Sequence, residues 1–452
     1  MSIISEYIKH ASVVFASGNP SNLIASIPIE PSHPFWRSLK PALLNHVPSV
    51  SEIVALSSPV SPDAKENFGA FMESVLRNVS AANGDSMGEF KSLVIVLTTA
   101  NKLYSQTTPD TGHLHAQMNP LILSLCKRLY MLSERAAKAS PHPPRHSLSP
   151  RSIRDQTRQV VEKSMQVAQS NVQPGLWDEQ QANGRALVGD GAWALANLLW
   201  RIYAERKLHT QASALGRTFE NMRPTEERRL AARGHLIRLT DVCQSYYWRG
   251  RLGVVLLDAR GAKYWFDKAW SICPSSAFKQ RRAILVRLIP VNLLLGSLPT
   301  TTLLQTYNLP QFLPLIHAFK TGNIPAWRRE LRQNRDWYRA RNSWLLLFER
   351  GEILVWRNLF RRILKEYYLS NPSAPLNRCP TSVFLNGVRK TFQGSGEAED
   401  GDITLEDIIV ATASMVDHVC LPFSCLLVKV QVLMYYRASS LVSSHIQIKT
   451  SR

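Results

Sequence analysis

Apolar residues recur at intervals of three and four along most of the chain, which is the spacing of amphipathic helices. Four leucines at this spacing predict a helix over 120–139: Leu121, Leu125, Leu129 and Leu132. From residue 192 onward, predicted helices follow one another at short intervals. Helix pairs joined by short turns bury their apolar faces on the next pair. The pattern therefore predicts a mostly α-helical protein whose helices stack into a right-handed, TPR-like solenoid.

Two stretches interrupt this pattern. Residues 140–154 read SPHPPRHSLSPRSIR, and residues 393–402 read QGSGEAEDGD. Both contain almost no large apolar side chains, so neither is able to bury a core. We expect a flexible linker over 140–157 and a flexible acidic insertion over 393–402.

Basic residues concentrate in two predicted helices over 326–341 and 343–369. Between residues 323 and 369 there are eleven arginines and lysines against five acidic residues. Several lie three or four positions apart and so share a helix face, where guanidinium groups are able to neutralise phosphates. The candidate nucleic-acid-binding residues are Arg328, Arg329, Arg332, Arg335, Arg339, Arg341, Arg357, Arg361, Arg362 and Lys365.

Three aromatic residues are interleaved with these arginines, namely Trp327, Trp337 and Tyr338. Aromatic rings on a basic surface offer stacking platforms for bases. The alternative is that the rings belong to the core and the arginines form a solvated face. The sequence leaves both interpretations open.

Composition supports an anionic or acidic partner. The chain of 452 residues allows two or three domains, and its net charge is +20. A charge of that size favours a protein that binds RNA, DNA or acidic partner proteins over one whose basic surface binds no partner.

The sequence contains no convergent set of catalytic groups. It has no phosphate-binding loop, no dinucleotide fingerprint and no metalloprotease motif. The six cysteines form neither a disulfide framework nor a zinc site, and His113 and His115 are expected to be ordinary loop histidines. We therefore predict no enzyme, catalytic residue, cofactor, metal or small-molecule substrate.

Targeting and membrane segments are not expected either. Residues 1–20 lack the features of a secretory signal, and no apolar run is long enough to cross a membrane. Reduced cysteines fit a protein of the nucleus, present also in the cytoplasm.

Five motifs in one order carry a resemblance to a known family. They are LLWRIY at 198–203, YYWRGR at 246–251, AILVRLIPVNLLLG at 283–296, LLQTY at 303–307 and RNLF at 357–360. With them the chain resembles the PCI family, over about residues 190–418. It is most similar to the branch that contains signalosome subunit twelve and the Thp-one, PCI-domain-containing-protein-two type of transcription-and-export subunit.

The resemblance implies a helical-repeat scaffold that ends in a C-terminal winged-helix subdomain. The implied domains are an N-terminal helical region (1–139), the linker (140–157), the repeat part (158–352), the winged helix (353–418) and an atypical tail (419–452). Three helices would form the winged helix, over 353–368, 382–391 and 405–418. The tail has no hairpin pattern, so we expect the wing to be missing or aberrant, either because it has diverged or because of an incorrect gene model, which we favour.

The family resemblance also implies a function and partners. The expected function is a non-catalytic scaffold subunit in transcription-coupled mRNA processing and nuclear export. It would pair with another PCI protein, of the Sac-three/Thp-three type, and bind RNA or DNA through its winged helix. The alternative is a protein-only scaffold among signalosome subunits, in protein deneddylation and ubiquitin-pathway regulation. Trp356, Leu359 and Phe360 have a spacing that favours packing within the winged helix, with a partner-binding groove as the second interpretation.

Overall fold

The computed structural model describes residues 3–82, 84–106, 115–139, 149–170, 187–222, 225–234, 236–374, 379–393 and 403–417. Every regular element in these ranges is a helix, which confirms the predicted mostly α-helical class. The chain divides into two compact units, Met1–Trp248 and Arg249–Arg452. This division falls inside the range 158–352 that was expected to form one repeat part.

In the first unit, helices adjacent in sequence pack on one another, as in α5 on α6, α6 on α7 and α7 on α8. The helices are α1 (Ile3–Ala16), α2 (Pro20–Ser26), α3 (Pro34–Leu43), α4 (Val50–Leu56), α5 (Pro62–Ala81), α6 (Ser86–Tyr104), α7 (Asn119–Ala139), α8 (Pro150–Ser170), α9 (Ala192–Glu205), α10 (His209–Glu220), α11 (Glu226–Arg233) and α12 (Leu239–Val255), the last of which contains the division. Helix α7 is the one predicted over 120–139, and its four leucines are buried.

The predicted linker over 140–157 is wrong from Pro150 onward, where α8 begins. Proline is well tolerated at the first position of a helix because the N–H it lacks would have no partner there. The Ser149 hydroxyl accepts a hydrogen bond from the Ser152 N–H at 3.1 Å and so caps this helix end. Ile153 and Val161 are fully buried and anchor the helix. Residues 140–148 lie outside the described residues.

A buried polar cluster joins α9 to α11. The Trp193 Nε1–H donates to Glu226 Oε1 at 2.8 Å, and both side chains are buried. Arg229, one turn further along α11, is only 1% exposed. Burial lowers the pKa of Arg229 to about 10, against the opposing effect of the Glu226 and Asp190 carboxylates. Glu226 therefore makes polar interactions in the core, in addition to the favourable interaction of a carboxylate with the dipole at the start of α11.

His115 is buried before the 3₁₀ turn Ala116–Met118, with its ring 5.2 Å from that of Phe15. Burial lowers the pKa of His115. In the unfolded chain the His115 imidazole has an ordinary pKa of about 6.5. It therefore takes up a proton at a higher pH in the unfolded chain than in the folded protein. We expect the free energy of unfolding to be unaffected by His115 above this pH and to fall as the pH drops below it. Denaturant melts between pH 7 and 5 test this, because His115→Phe should lose that part of the pH dependence. An unchanged pH profile in the variant would contradict it.

The second unit is also built of packed helices, and its last three helices pack against one another. Its further helices are α13 (Ala259–Ile272), α14 (Phe278–Leu294), α15 (Thr301–Thr306), α16 (Phe312–Thr321), α17 (Ile324–Gln333), α18 (Arg335–Arg339), α19 (Glu352–Ser370), α20 (Thr381–Phe392) and α21 (Leu405–Asp417). A π-helical turn over Leu346–Gly351 leads directly into α19.

The predicted continuous helix over 326–341 is interrupted at Asn334. Its φ and ψ of −103° and 21° leave the helical region, and α18 starts again at the next residue. Trp327 on α17 and Tyr338 on α18 are both fully buried. Trp327 packs on Phe319 and Tyr338 packs on Phe312, so both rings lie against α16 on either side of the break.

Gly322 fixes the approach of α16 to α19. It ends α16 in the left-handed region, with φ of 70°. A Cβ atom at this position would lie 2.5 Å from the Leu359 Cα and backbone nitrogen. The absence of a side chain is therefore what lets the end of α16 touch the backbone of α19.

Helices α19, α20 and α21 are the three predicted for the winged helix, and they pack against each other. Phe360 lies with its ring centroid 4.8 Å from that of Phe384, and Val388 and Ile408 are fully buried. Gly387 gives α20 room beside Ile363, whose Cδ1 would be 2.6 Å from an added Cβ. The acidic insertion from residue 394 to 402 and the tail from 418 onward, where a wing would follow, lie outside the described residues.

Candidate nucleic-acid interface

Two arginines of α17, Arg328 and Arg332, line a cleft that also contains carboxylates. Arg328 forms an ion pair with Glu352 of α19, with Nη2 at 2.7 Å from Oε1, and both side chains are largely buried. Arg332 borders the same cleft of about 460 Å³, together with Glu349. The charge of Arg328 is thus compensated within the protein, whereas Arg329 is exposed. Helix α17 offers a nucleic acid fewer free cations than its sequence predicts.

The next arginines rest on aromatic rings. The Arg335 guanidinium lies 5.2 Å from the centre of the Trp344 ring, and that of Arg341 lies 4.0 Å from the Trp337 ring. Arg339 is exposed. A guanidinium that stacks on a ring keeps its charge and most of its N–H donors, so these residues remain able to bind an anion.

The predicted stacking platform is wrong for two of its three rings. Trp327 and Tyr338 are fully buried, and the Tyr338 hydroxyl donates to the Gln311 carbonyl at 3.1 Å. Burial also raises the pKa of Tyr338. Trp337 is half-buried, but Arg341 covers one of its faces. The interpretation that these aromatics belong to the core holds for Trp327 and Tyr338.

Helix α19 carries a line of basic residues at four-residue spacing: Arg357, Arg361 and Lys365. Residues four apart lie on one face of a helix, so these three cations form a row. Arg361 and Lys365 are exposed, while Arg357 is half-buried and its Nε has no hydrogen-bond partner among the described residues. Arg362 lies outside this row and makes an exposed pair with Glu366 at 3.3 Å. We name Arg357, Arg361 and Lys365 the α19 row.

The comparisons with known proteins point to one family. No family model matches the chain. It is 32% identical over 187 residues to the PCI domain-containing protein 2 homolog of Drosophila melanogaster, covering 40% of this chain and 45% of that protein. It is 28% identical over 243 residues to PCI domain-containing protein 2 of Danio rerio, covering 53% and 55%. It is 39% identical over 100 residues to the protein CSN12 homolog of Gibberella zeae, covering 22% of each.

Over about half of its length the chain is thus similar to proteins named PCI domain-containing protein 2. The names of these relatives match the branch that the sequence motifs indicate. Its matches span about half the length of the first two relatives, at 45% and 55%. The five motifs that carry the resemblance fall on described helices: LLWRIY on α9, YYWRGR on α12, AILVRLIPVNLLLG on α14 and the residues that follow it, LLQTY on and after α15, and RNLF on α19.

The apolar residues singled out in the predicted winged-helix segment are mostly core. Leu359 and Phe360 are buried, which explains their spacing by packing and leaves neither available to a partner. Trp356 is half-buried, meets Phe360 edge-on at 5.8 Å and borders the cleft with Phe348. Of the three candidates for protein interaction, only Trp356 presents its side chain at an open surface.

The sequence patterns do not single out one further basic residue, Arg282. Arg282 on α14 lies close enough to Arg341 for its charge to lower the pKa of that residue, in addition to the effect of burial. The two residues are 59 positions apart, so no spacing rule brings them together. The described residues contain no cluster of histidine, cysteine or acidic side chains suited to a metal ion. Within the same residues, no helix has the length and apolar character needed to cross a membrane.

Proposed function

We propose that the chain is a non-catalytic PCI scaffold subunit that acts in transcription-coupled mRNA processing and nuclear export. It pairs with another PCI protein and binds RNA or DNA through basic residues of its C-terminal helices. Its place of action is the nucleus.

The observation that carries the proposal is the α19 row. Its two outer members, Arg361 and Lys365, are exposed on the first helix of the winged-helix part, and no ion pair joins either to the described residues. A row of cations about 6 Å apart on a helix face matches the spacing of successive phosphates in a flexible strand. The net charge of +20 supplies the long-range attraction.

Charge reversal in the row tests this function. We expect Arg361→Glu/Lys365→Glu to weaken binding of single-stranded RNA. The slope of log K against log salt concentration should fall by about 1.4, because each phosphate contact contributes about 0.7. Fluorescence anisotropy titrations of a labelled oligouridylate at several salt concentrations measure the slope.

The matched control is Lys91→Glu/Lys102→Glu on α6, which makes the same change in net charge at two exposed lysines of the first unit. We expect the control to keep the wild-type slope. Equal losses in the two variants would mean that only net charge matters, and the α19 row would then have no special role.

A second candidate function is a protein-only scaffold of the signalosome, in which the basic helices meet acidic partner segments. The cleft beside Arg332 and Trp356 favours it, because its mixture of charged and aromatic side chains suits a peptide better than a phosphate backbone. Affinity purification from nuclear extract, with and without nuclease, separates the two functions. Signalosome subunits retained after nuclease treatment would support the protein-only scaffold, whereas a second PCI protein with nuclease-sensitive processing factors would support the first.

A further inference from the structure

Two arginines flank the turn between α15 and α16. Arg282 donates from Nε to the Tyr307 carbonyl at 3.0 Å and from Nη2 to the Asn308 carbonyl at 3.1 Å. Arg341 donates from Nη1 to the Trp337 carbonyl at 2.7 Å. Trp337 in turn meets Phe312, at the start of α16, with ring centroids 5.5 Å apart. The turn at Tyr307 and Asn308 therefore fixes the Arg282 guanidinium, and Trp337, which packs on Phe312 shortly after that turn, fixes the Arg341 guanidinium.

The pair carries two positive charges without a carboxylate. Among the described residues, neither Arg282 nor Arg341 forms an ion pair, and both are half-buried. Burial lowers the pKa of Arg341, and the positive charge of Arg282 lowers it further, because two neighbouring cations repel each other. An anion placed between them would remove this cost.

Both guanidinium groups also retain donors for such an anion. A guanidinium has five N–H donors, and the backbone carbonyls take up two from Arg282 and one from Arg341. The Trp337 ring, 4.0 Å from the Arg341 guanidinium, restricts the orientation of that side chain. Pre-oriented guanidinium groups are well suited to the paired oxygens of a phosphate.

An exposed aromatic ring lies beside the pair. Phe278, at the start of α14, is 45% exposed and stacks on Tyr307 with centroids 5.2 Å apart and planes 14° from parallel. Tyr307 is the residue whose carbonyl accepts from Arg282. A phosphate site next to an open aromatic ring fits a single-stranded nucleic acid, which offers a phosphate and a base at neighbouring positions.

We propose that Arg282 and Arg341 bind a backbone phosphate of single-stranded RNA or DNA, and that the adjacent base stacks on Phe278. This inference rests on the proposed nucleic-acid binding and adds a contact on the helical-repeat part, away from the α19 row in sequence. We name Arg282, Arg341 and Phe278 the α14 site.

The test uses the full chain and a labelled oligouridylate. For Arg282→Gln/Arg341→Gln we expect weaker binding and a salt slope reduced by about 0.7 for one shared phosphate contact, or about 1.4 for two. Phe278→Ala should weaken binding by about fivefold or more while the slope stays unchanged, because stacking involves no counterion release. Lys91→Gln/Lys102→Gln removes the same charge elsewhere and should behave as wild type.

If the glutamine variant does not fold, the double variant Arg282→Lys/Arg341→Lys provides a second test of the site. Lysine retains the charge but not the forked donors, so the double lysine variant should keep the slope and lose affinity. A folded glutamine variant with wild-type slope and affinity would overturn the α14 site. If that variant binds normally while the α19 row variant does not, the α14 site alone is wrong. If the wild-type chain itself does not bind the oligonucleotide, the proposed function fails as well.

Discussion

Gly322→Ala is expected to lower the free energy of unfolding of the second unit by about 3 kcal/mol or more. A non-glycine residue costs about 1–2 kcal/mol in the left-handed region that Gly322 occupies. The added Cβ would also lie 2.5 Å from the Leu359 backbone, which is unable to move aside as a flexible side chain would. Overpacking of this kind costs about 1–3 kcal/mol further. Urea denaturation followed by circular dichroism measures the change.

Gly296→Ala is the matched control, because Gly296 has a similar φ of 80° but no atom within 4 Å of an added Cβ. It should lose only the backbone contribution of about 1–2 kcal/mol. If both variants lose the same amount, then contact with α19 contributes nothing at Gly322. Any further loss of unfolding free energy in Gly322→Ala, relative to Gly296→Ala, would measure the cost of disturbing the contact between the end of α16 and α19.

Glu226→Gln is expected to destabilise the first unit by about 3 kcal/mol, although it changes only one atom. The glutamine oxygen is still able to accept from the Trp193 Nε1–H, so that hydrogen bond survives. The negative charge beside the buried Arg229 is lost, and removing one partner of a buried charge pair costs about 3–5 kcal/mol. Asp190 remains near Arg229, which places the expected loss at the lower end of this range. Thermal and denaturant melts of the purified variant provide the measurement.

The double variant Glu226→Gln/Arg229→Met isolates the charge effect. Because methionine needs no counter-charge, the double variant should recover much of the stability that Glu226→Gln loses. Glu227→Gln, at the exposed neighbouring position of the same helix start, should change stability by less than about 1 kcal/mol. A double variant less stable than Glu226→Gln alone would show that Arg229 stabilises the fold through other contacts.

Much of the fold could be predicted from the sequence because helical spacing is a local property. The four leucines of α7 and the three winged-helix segments α19, α20 and α21 lie where the apolar pattern indicated. The predictions are wrong where one local sequence pattern is compatible with two different structures. Proline and serine at 149–150 suit a loop and a helix start equally well, and burial of Ile153 decides for the helix.

The candidate interface was less predictable because charge and aromatic character do not specify burial. Arg328 and Arg361 look equivalent in the sequence, yet one is paired with Glu352 and the other is exposed. Trp327 and Tyr338 are equally plausible in the sequence as core or as stacking surface, and the structure buries both against phenylalanines of α16. The proximity of Arg282 to Arg341 depends on tertiary structure alone.

The π-helical turn Leu346–Gly351 affects how the C-terminal helix is oriented. A π turn accommodates more residues than an α-helical turn, and each residue of an α-helix advances the chain by about 100° around the axis. Gly351 closes the turn against the Trp327 ring, where an added Cβ would lie 2.7 Å from Cζ2. A single-residue insertion or deletion in this turn would therefore rotate the basic face of α19 by more than a quarter of a circle. In an evolving family, such a change would redirect the binding face without altering any residue that forms it.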